Sequence, residues 1–203
     1  MTYVSKTVNM NKSMTKLEAL PLDKARRAYS QKDEEKMTEN KACGLESEDL
    51  VCDEYEVAKI VKTTNVCPMC EDYARAQASK PVAIMSCEGA CLRGEVSRQA
   101  ANIICHKLAP DKTVRICLGG AFTKDTGQRS LVRNAKRLIA IEGCFIKCSS
   151  RMMQGVIGGL SPEIILADQL YDFDTSLFGI DEMPEDEIKA NATKVAERIV
   201  EIL

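Results

Sequence analysis

The chain has 203 residues, of which 29% are charged, and its formal net charge is −2. This length suits one ordinary domain with an appended module. Both signs of charge are mixed along the chain and only 4% of residues are aromatic, so we expect neither the basic face nor the stacking platforms of a nucleic-acid-binding protein.

The amino terminus lacks the apolar stretch of a signal peptide, and no later run of about 18 apolar residues is available to span a bilayer. We therefore expect a cytoplasmic protein without a membrane partner. The ten cysteines would then be kept reduced, and a disulfide framework is not expected. Metal binding, thiol chemistry and simple burial remain as explanations for them.

The chain is predicted to have three segments. Residues 1–41 are polar without a sustained period, which is typical of a flexible segment. Residues 42–80 are predicted to form a cysteine-containing helical extension, with helix-like stretches at 54–62 and after Cys70. Because the residue before a proline is pushed out of helical geometry, Lys80-Pro81 closes this extension and an α/β domain begins at residue 81.

Residues 81–203 alternate between strand and helix patterns. Short apolar runs predict strands at 82–85, 114–118, 138–141 and 163–167. Helices are predicted at 95–108, 130–137 and 148–155, with a loop at 119–124. A last helix after Pro184 carries an apolar stripe formed by Ile188, Ala192, Val195, Ile199 and Ile202. This alternation indicates a three-layer, mostly parallel, Rossmann-like sheet of about four strands with a C-terminal helix.

Four cysteines lie where the predicted strands end. Cys87 follows the first strand, Cys117 lies in the second, and Cys144 and Cys148 follow the third. The carboxyl ends of neighbouring parallel strands lie on one edge of a sheet, so we expect these thiols to converge. Four thiolates suit tetrahedral Zn²⁺, and they also suit an iron-sulfur cluster. Their spacing does not match the close-set runs of ferredoxins, which favours zinc.

Short motifs around these cysteines follow one another in a recognisable order: Cys87-Glu-Gly-Ala, Cys117-Leu-Gly-Gly, Glu142-Gly-Cys-Phe-Ile-Lys-Cys148 and Leu166-Ala-Asp168. In these motifs residues 81–175 resemble the DGC domain, a family of small proteins named for a central Asp-Gly-Cys. The family is regarded as zinc-binding because it carries four potential thiolate ligands. The resemblance implies the same role for Cys87, Cys117, Cys144 and Cys148, although Glu142 stands at the position of the naming aspartate.

The other cysteines allow further interpretations. Cys91 begins a predicted helix and is a candidate fifth ligand, a reactive thiol or a residue without a role. Cys67-Pro-Met-Cys70 has the C-x-x-C spacing of both zinc knuckles and redox pairs. With Cys43 and Cys52 it would complete a second four-sulfur site. An alternative function is therefore a thiol, persulfide or redox enzyme or carrier that uses Cys67 and Cys70, or Cys91.

Other functional signals are weak. His106, the single histidine, lies near the carboxyl end of a predicted helix, where positively charged side chains commonly interact with the helix dipole. Arg93, Arg98 and Arg115 are candidates for contacting an anionic ligand, but scattered arginines are more often solvated. No P-loop, G-x-G-x-x-G or G-x-S-x-G motif occurs. The sequence leaves open whether the protein is an enzyme and which protein or small molecule is its partner.

Overall fold

A computed structural model describes residues 57–203 of the chain. The predicted flexible segment 1–41 lies outside the described residues, as do Cys43 and Cys52 of the proposed second site. The description below concerns residues 57–203 alone.

The described residues form one four-stranded sheet. Its strands are β1 (Val82–Ser86), β2 (Thr113–Arg115), β3 (Arg137–Glu142) and β4 (Glu163–Leu166). They lie in the order β2-β1-β3-β4, and every neighbouring pair is parallel. The predicted class, a parallel sheet of about four strands, is confirmed.

Six α-helices surround this sheet within residues 57–203: α1 (Pro68–Gln77), α2 (Leu92–Ile103), α3 (Leu118–Thr123), α4 (Gly127–Asn134), α5 (Cys148–Val156) and α6 (Glu185–Val200). A π-helical turn at Ile104–Leu108 continues α2, and 3₁₀ turns occupy Ala167–Gln169 and Ile180–Glu182. No helix in the described part of the chain combines the length and the apolar character needed to cross a bilayer.

Two apolar clusters, one on each face of the sheet, define three layers. On one face, Val96 of α2 and Val195 of α6 pack with Ile84 and Ile139 of the central strands. The second cluster covers the opposite face and draws on α1, α3, α4 and α5, with Met85, Ile116, Leu131 and Met153 among its members. Each large apolar side chain buried in this way contributes about 1.5–3 kcal/mol. The loops at the carboxyl edge therefore follow strands that are packed on both faces of the sheet.

Two boundaries in the middle of the domain were predicted wrongly. The second strand ends at Arg115 instead of residue 118, and the predicted loop that follows is helix α3. Its glycine-rich sequence does not predict a helix. The helix forms because Leu118 and Ala121 are buried in the second cluster. The helix predicted at 130–137 spans Gly127–Asn134, since the N–H of its first residue, Gly127, donates to the Glu71 carboxylate from elsewhere in the chain.

Two further predictions fail where burial is missing. Residues 57–62 of the predicted helix 54–62 are not helical, and Val61 is 93% exposed. A short helix without tertiary packing is only marginally stable in water. Ile202, the last member of the predicted stripe, lies beyond the end of α6 and is 54% exposed. The other four members of that stripe are buried against the sheet, as predicted.

Candidate metal centre

The strand order reverses between β1 and β3. From β1 the chain passes through α2 to β2 on one side, whereas from β3 it passes through α5 to β4 on the other side. In open α/β sheets, ligands bind in the crevice outside the carboxyl ends of the strands at such a reversal. Cys87 directly follows β1 and Cys144 follows β3, so both residues border the position where a ligand is expected.

Cys87 is the buried thiol of this edge. Its backbone N–H donates to the Ile141 carbonyl at 2.9 Å, which extends the pairing of β1 with β3. Burial raises the pKa of the Cys87 thiol, whereas the backbone N–H groups of Gly89 and Gly143 favour the thiolate and partly offset that rise. Burial therefore favours the protonated thiol. The two backbone N–H groups supply hydrogen-bond donors for the sulfur once its proton is lost.

Other sulfur atoms lie close to Cys87. A Cβ atom built on Gly89 would lie 3.6 Å from the Cys87 Sγ and 3.7 Å from the Cys91 Sγ, so these two sulfurs flank one point. Cys148 is near enough for its charge to contribute to the raised pKa of Cys87. The loop after β1 and the start of α5 thus bring Cys91 and Cys148 into the neighbourhood of Cys87.

The loop after β3 lies directly against the start of α2. A Cβ atom on Gly143 would stand 2.8 Å from the carbonyl carbon of Arg93 and 2.9 Å from the backbone nitrogen of Gly94. Real Cβ atoms do not approach backbone atoms so closely, because van der Waals repulsion rises steeply at such distances. Only glycine fits at residue 143, and this close approach fixes the neighbouring Cys144 relative to α2.

Glu142 holds the loop that carries Cys144 and Cys148. Its carboxylate is fully buried and accepts hydrogen bonds from the Ser149 N–H at 3.2 Å, the Ser149 hydroxyl at 2.7 Å and the Ser150 N–H at 2.7 Å. These donors belong to the first turn of α5, where backbone N–H groups lack partners within the helix. The glutamate at the naming position of the motif therefore acts as a helix cap.

The two cysteines of this loop differ in exposure. Cys148 is exposed and begins α5, whereas Cys144 is half-buried. Between them the Lys147 N–H donates to the Cys144 carbonyl at 3.2 Å, which closes a turn. Lys147 itself has φ 56° and ψ 47°, a left-handed conformation that is unusual for a residue with a side chain. The reversal of the chain at Lys147 directs the start of α5 back toward the sheet edge.

Cys117 lies on the far side of the edge, next to β2. It is exposed, and its N–H donates to the Oε1 atom of the buried Gln128 at 3.0 Å. Its sulfur lies 3.3 Å from the position of a Cβ on Gly120. A cavity of about 420 Å³ opens beside it, and Cys70 lines the same cavity. Cys117 is thus paired in space with the C-x-x-C segment.

The thiols at this edge therefore form two groups. Cys87, Cys91 and Cys148 gather near the start of α2, with Cys144 on the same loop as Cys148, whereas Cys117 lines the same cavity as Cys70. Within these described residues no three Cys, His, Asp or Glu side chains are arranged so that they could hold a metal ion. Zinc ligation by Cys87, Cys117, Cys144 and Cys148 remains a prediction.

The C-x-x-C pair occupies the amino end of α1. Cys67 is exposed and precedes Pro68, and Cys70 is half-buried one turn later. The backbone N–H of Cys70, followed by its thiol and the Met69 N–H, lowers the pKa of Cys67. The shared hydrogen bond with Cys67 raises the pKa of Cys70. The two thiols thus affect each other and have pKa values shifted in opposite directions.

A buried tyrosine near Cys91 was not singled out from the sequence. Within residues 57–203 the Tyr171 hydroxyl has no hydrogen-bond partner, and burial raises the pKa of Tyr171 to about 12, with a contribution from the charge of Asp168. The Nη1 of Arg93 lies 3.4 Å from the Asp168 Oδ2, and the Arg93 guanidinium lies 5.1 Å from the centre of the Phe173 ring. A tyrosine within an acidic connector carries no pattern that distinguishes it from a surface residue.

The remaining polar candidates have structural partners or lie at the surface. Arg115 is mostly buried and bonds Ser86 at 2.7 Å, Glu88 at 2.6 Å and Asn102 at 3.1 Å, which ties β2 to the loop after β1 and to α2. Arg98 is held by Glu95 on its own helix. His106 is exposed in the π-helical turn and lines the same cavity as Cys70 and Cys117.

Comparison with known proteins supports the motif-based resemblance. The family model of the DGC domain matches residues 83–195, which is more than half of the chain and spans β1 to the middle of α6. No curated protein and no solved structure matches the chain. Family membership is consistent with metal binding. The matched stretch includes Cys87, Cys117, Cys144 and Cys148 and excludes the C-x-x-C segment, and this chain belongs to the DGC-domain family.

Proposed function

We propose that this protein binds zinc through the thiolates of Cys87, Cys117, Cys144 and Cys148. The observation that carries the proposal is their common position after β1, β2 and β3, three adjacent strands that end at one edge. Cys87 directly follows the central strand of the three, between Cys117 after one neighbouring strand and the Cys144–Cys148 loop after the other. Ligands from separate loops that meet at one edge are what a closed tetrahedral site requires.

The surroundings of Cys87 can also serve a metal-bound sulfur. Burial disfavours the isolated thiolate and raises the pKa of Cys87, so a nearby cation is needed to stabilise the charged form. A coordinating thiol is deprotonated by its metal. The N–H groups of Gly89 and Gly143 that favour the thiolate then act as donors to a ligand sulfur and orient it.

The backbone next to Cys144 and Cys148 is held in place by contacts with other parts of the domain. Glu142 fixes the start of α5 next to Cys148, and the close approach of Gly143 to Arg93 fixes the chain next to Cys144. When bound, zinc would link three loops and could serve as a structural, stored or transferred ion. The protein would supply a preorganised base, and the exposed Cys117 and Cys148 would leave the site accessible to a partner.

The test is elemental analysis of the full chain purified without oxygen, together with its visible spectrum. We expect about one zinc ion per chain, with a colourless preparation. A Cys87→Ala variant should lose the metal. Cys105→Ala is the matched control, because Cys105 is equally buried but lies at the start of the π-helical turn, away from the loops after the strands, and it should keep the full metal content.

Two results would overturn the proposal. One is a zinc content far below one per chain in protein never exposed to chelators, and the other is a Cys87→Ala variant with unchanged zinc. A brown preparation that absorbs visible light and contains iron would assign the same thiols to an iron-sulfur cluster.

A further inference from the structure

The Cys67–Cys70 pair lies outside the stretch matched by the family and outside the proposed zinc ligands. Cys67 is exposed and its backbone is extended, with φ −73° and ψ 112°, just before the 10-residue helix α1. Cys70 lies three residues later on the same face of the first turn, and the thiol of each cysteine shifts the pKa of the other. The sulfur atoms are therefore near neighbours at an accessible end of a helix.

The segment that carries the pair is fastened to the domain on both sides. After the pair, the Glu71 carboxylate accepts from the Gly127 N–H at 3.0 and 3.1 Å. Before it, the Lys124 ammonium donates to the carbonyls of Thr63 at 2.9 Å and Asn65 at 3.2 Å. The contacts from Gly127 and Lys124 hold the pair in a constant position beside α3 and α4, as a reacting group requires.

A cavity large enough for a small molecule adjoins the pair. Its volume is about 420 Å³, and Cys70, Tyr73, His106, Arg115 and Cys117 contribute to its walls. Cavities that bind small molecules begin at about 300 Å³. The Arg115 charge is paired with Glu88, so the walls do not impose a strongly charged occupant.

We propose that Cys67 and Cys70 form a dithiol–disulfide exchange pair that acts on disulfides of low-molecular-weight thiols at the exposed Cys67. The C-x-x-C spacing at the start of α1, the accessible Cys67 and the small-molecule space beside Cys70 carry the proposal. Neither residue is among the four proposed zinc ligands, but Cys117, which is one of them, lines the same cavity as Cys70, so zinc content is measured alongside the peptide.

The reaction balances without any further reagent. The Cys67 thiolate attacks one sulfur of the substrate disulfide RSSR, which forms a Cys67–S–SR bond and releases RS⁻. Cys70 then loses its proton and attacks the Cys67 sulfur, which forms the Cys67–Cys70 disulfide and releases the second RS⁻. The two thiol protons pass to the two RS⁻ groups, and two electrons pass from the protein dithiol to the substrate. Reduction by an excess of RSH runs the same steps backwards.

The two cysteines have surroundings suited to these separate roles. The N–H of Cys70, the Cys70 thiol and the Met69 N–H lower the pKa of Cys67, as the attacking sulfur requires. Cys70 is half-buried one turn further along the helix, so the exposed Cys67 is the sulfur that a substrate reaches first.

The experiment incubates the full chain with glutathione disulfide, quenches with an alkylating reagent and analyses the tryptic peptide 63–75. This peptide lies between Lys62 and Arg75 and contains Cys67 and Cys70 as its cysteines. We expect an internal disulfide in the wild-type peptide. In a Cys70→Ser variant the peptide should instead carry glutathione on Cys67. In the reduced wild-type chain, iodoacetamide should modify Cys67 at least about fivefold faster than Cys70.

Several results would overturn the proposal. Equal alkylation of Cys67 and Cys70 in the wild-type chain is one, and it requires no variant to fold. A second is the absence of a glutathione adduct on Cys70→Ser, and a third is an adduct that forms equally fast on Cys70 in Cys67→Ser. Zinc content should be unchanged in Cys70→Ser and in the Cys105→Ala control. Loss of zinc from both Cys67→Ser and Cys70→Ser would assign the pair to a metal site instead.

Discussion

Two glutamates on opposite sides of the carboxyl edge accept hydrogen bonds from the first N–H groups of a helix. Glu142 reaches α5 and is fully buried, whereas Glu71 reaches α4 and is half-buried. We call the loops 87–91 and 142–148 the closed side, and residues 63–71 with Cys117 the open side. The same capping contact thus occurs at different degrees of solvent exposure along one edge of the sheet.

One thiol on each side shows the same contrast. On the closed side, burial raises the pKa of Cys87. On the open side, Cys67 is exposed and hydrogen bonds lower its pKa. Two cysteines on one edge thus differ in how readily they lose a proton, because desolvation dominates at Cys87 and hydrogen bonds dominate at Cys67.

The largest expected effect is the removal of the cap on the closed side. Glu142→Ala leaves the Ser149 and Ser150 N–H groups and one hydroxyl without their buried acceptor. We expect the free energy of unfolding to fall by about 3–4 kcal/mol, because these are charge-assisted bonds to a fully buried carboxylate. Urea unfolding monitored by circular dichroism measures this loss.

Two controls sharpen the test of Glu142. Glu142→Gln keeps one acceptor oxygen and should lose only about half as much stability. Glu201→Ala, at an exposed glutamate after α6, should change stability by less than about 0.5 kcal/mol. A Glu142→Ala variant as stable as Glu201→Ala would contradict the structural role assigned to this carboxylate.

The equivalent change on the open side should cost less. Glu71→Ala removes the acceptor of the Gly127 N–H, but water can reach the half-exposed site and replace it. We expect a loss of about 1 kcal/mol, typical of a helix cap. The loosened α1 should also expose Cys70 to faster alkylation. If Glu71→Ala destabilises the protein as much as Glu142→Ala, the distinction between the two sides is wrong.

The smallest effect at neutral pH is expected at Tyr171, whose buried hydroxyl has no partner. Tyr171→Phe removes that hydroxyl and should raise the free energy of unfolding by up to about 1 kcal/mol. Because the folded-state pKa of about 12 lies above the ordinary value of about 10, wild-type stability should be complete below the lower value and fall as pH rises toward the higher one.

Urea unfolding repeated across this alkaline range should show that the Tyr171→Phe variant lacks this component of the loss. Identical alkaline profiles for the two proteins would mean that the Tyr171 hydroxyl is hydrated in solution.

The sequence pattern was sufficient to predict those elements whose own residues show a clear apolar pattern. The strands that contain Val82, Leu138 and Glu163 were predicted within about two residues at each end, because buried parallel strands read as short apolar runs. Helix α3 was missed, because its formation depends on burying Leu118 and Ala121 against distant residues. The start of α4 at Gly127 depends on Glu71, 56 positions earlier, which no local pattern contains.

The candidate site shows the same limit. The positions of Cys87, Cys117, Cys144 and Cys148 at one edge follow from the parallel direction of the strands, which the alternating pattern predicts. The proximity of Cys117 to Cys70 does not follow from the sequence pattern, because it depends on how α1 packs beside α4. Tyr171 became a candidate only when its hydroxyl was found buried without a partner.

The sequence by itself determined the family, the parallel sheet and the edge on which four thiols lie, since apolar periodicity and motif order are local properties of the chain. Only the tertiary structure decided that Glu142 is a buried helix cap, that Cys87 is a buried thiol and that Cys67 is an exposed one. The reason is physical: burial and hydrogen-bond partners are set by residues far apart in sequence, and they control the protonation and reactivity of each group.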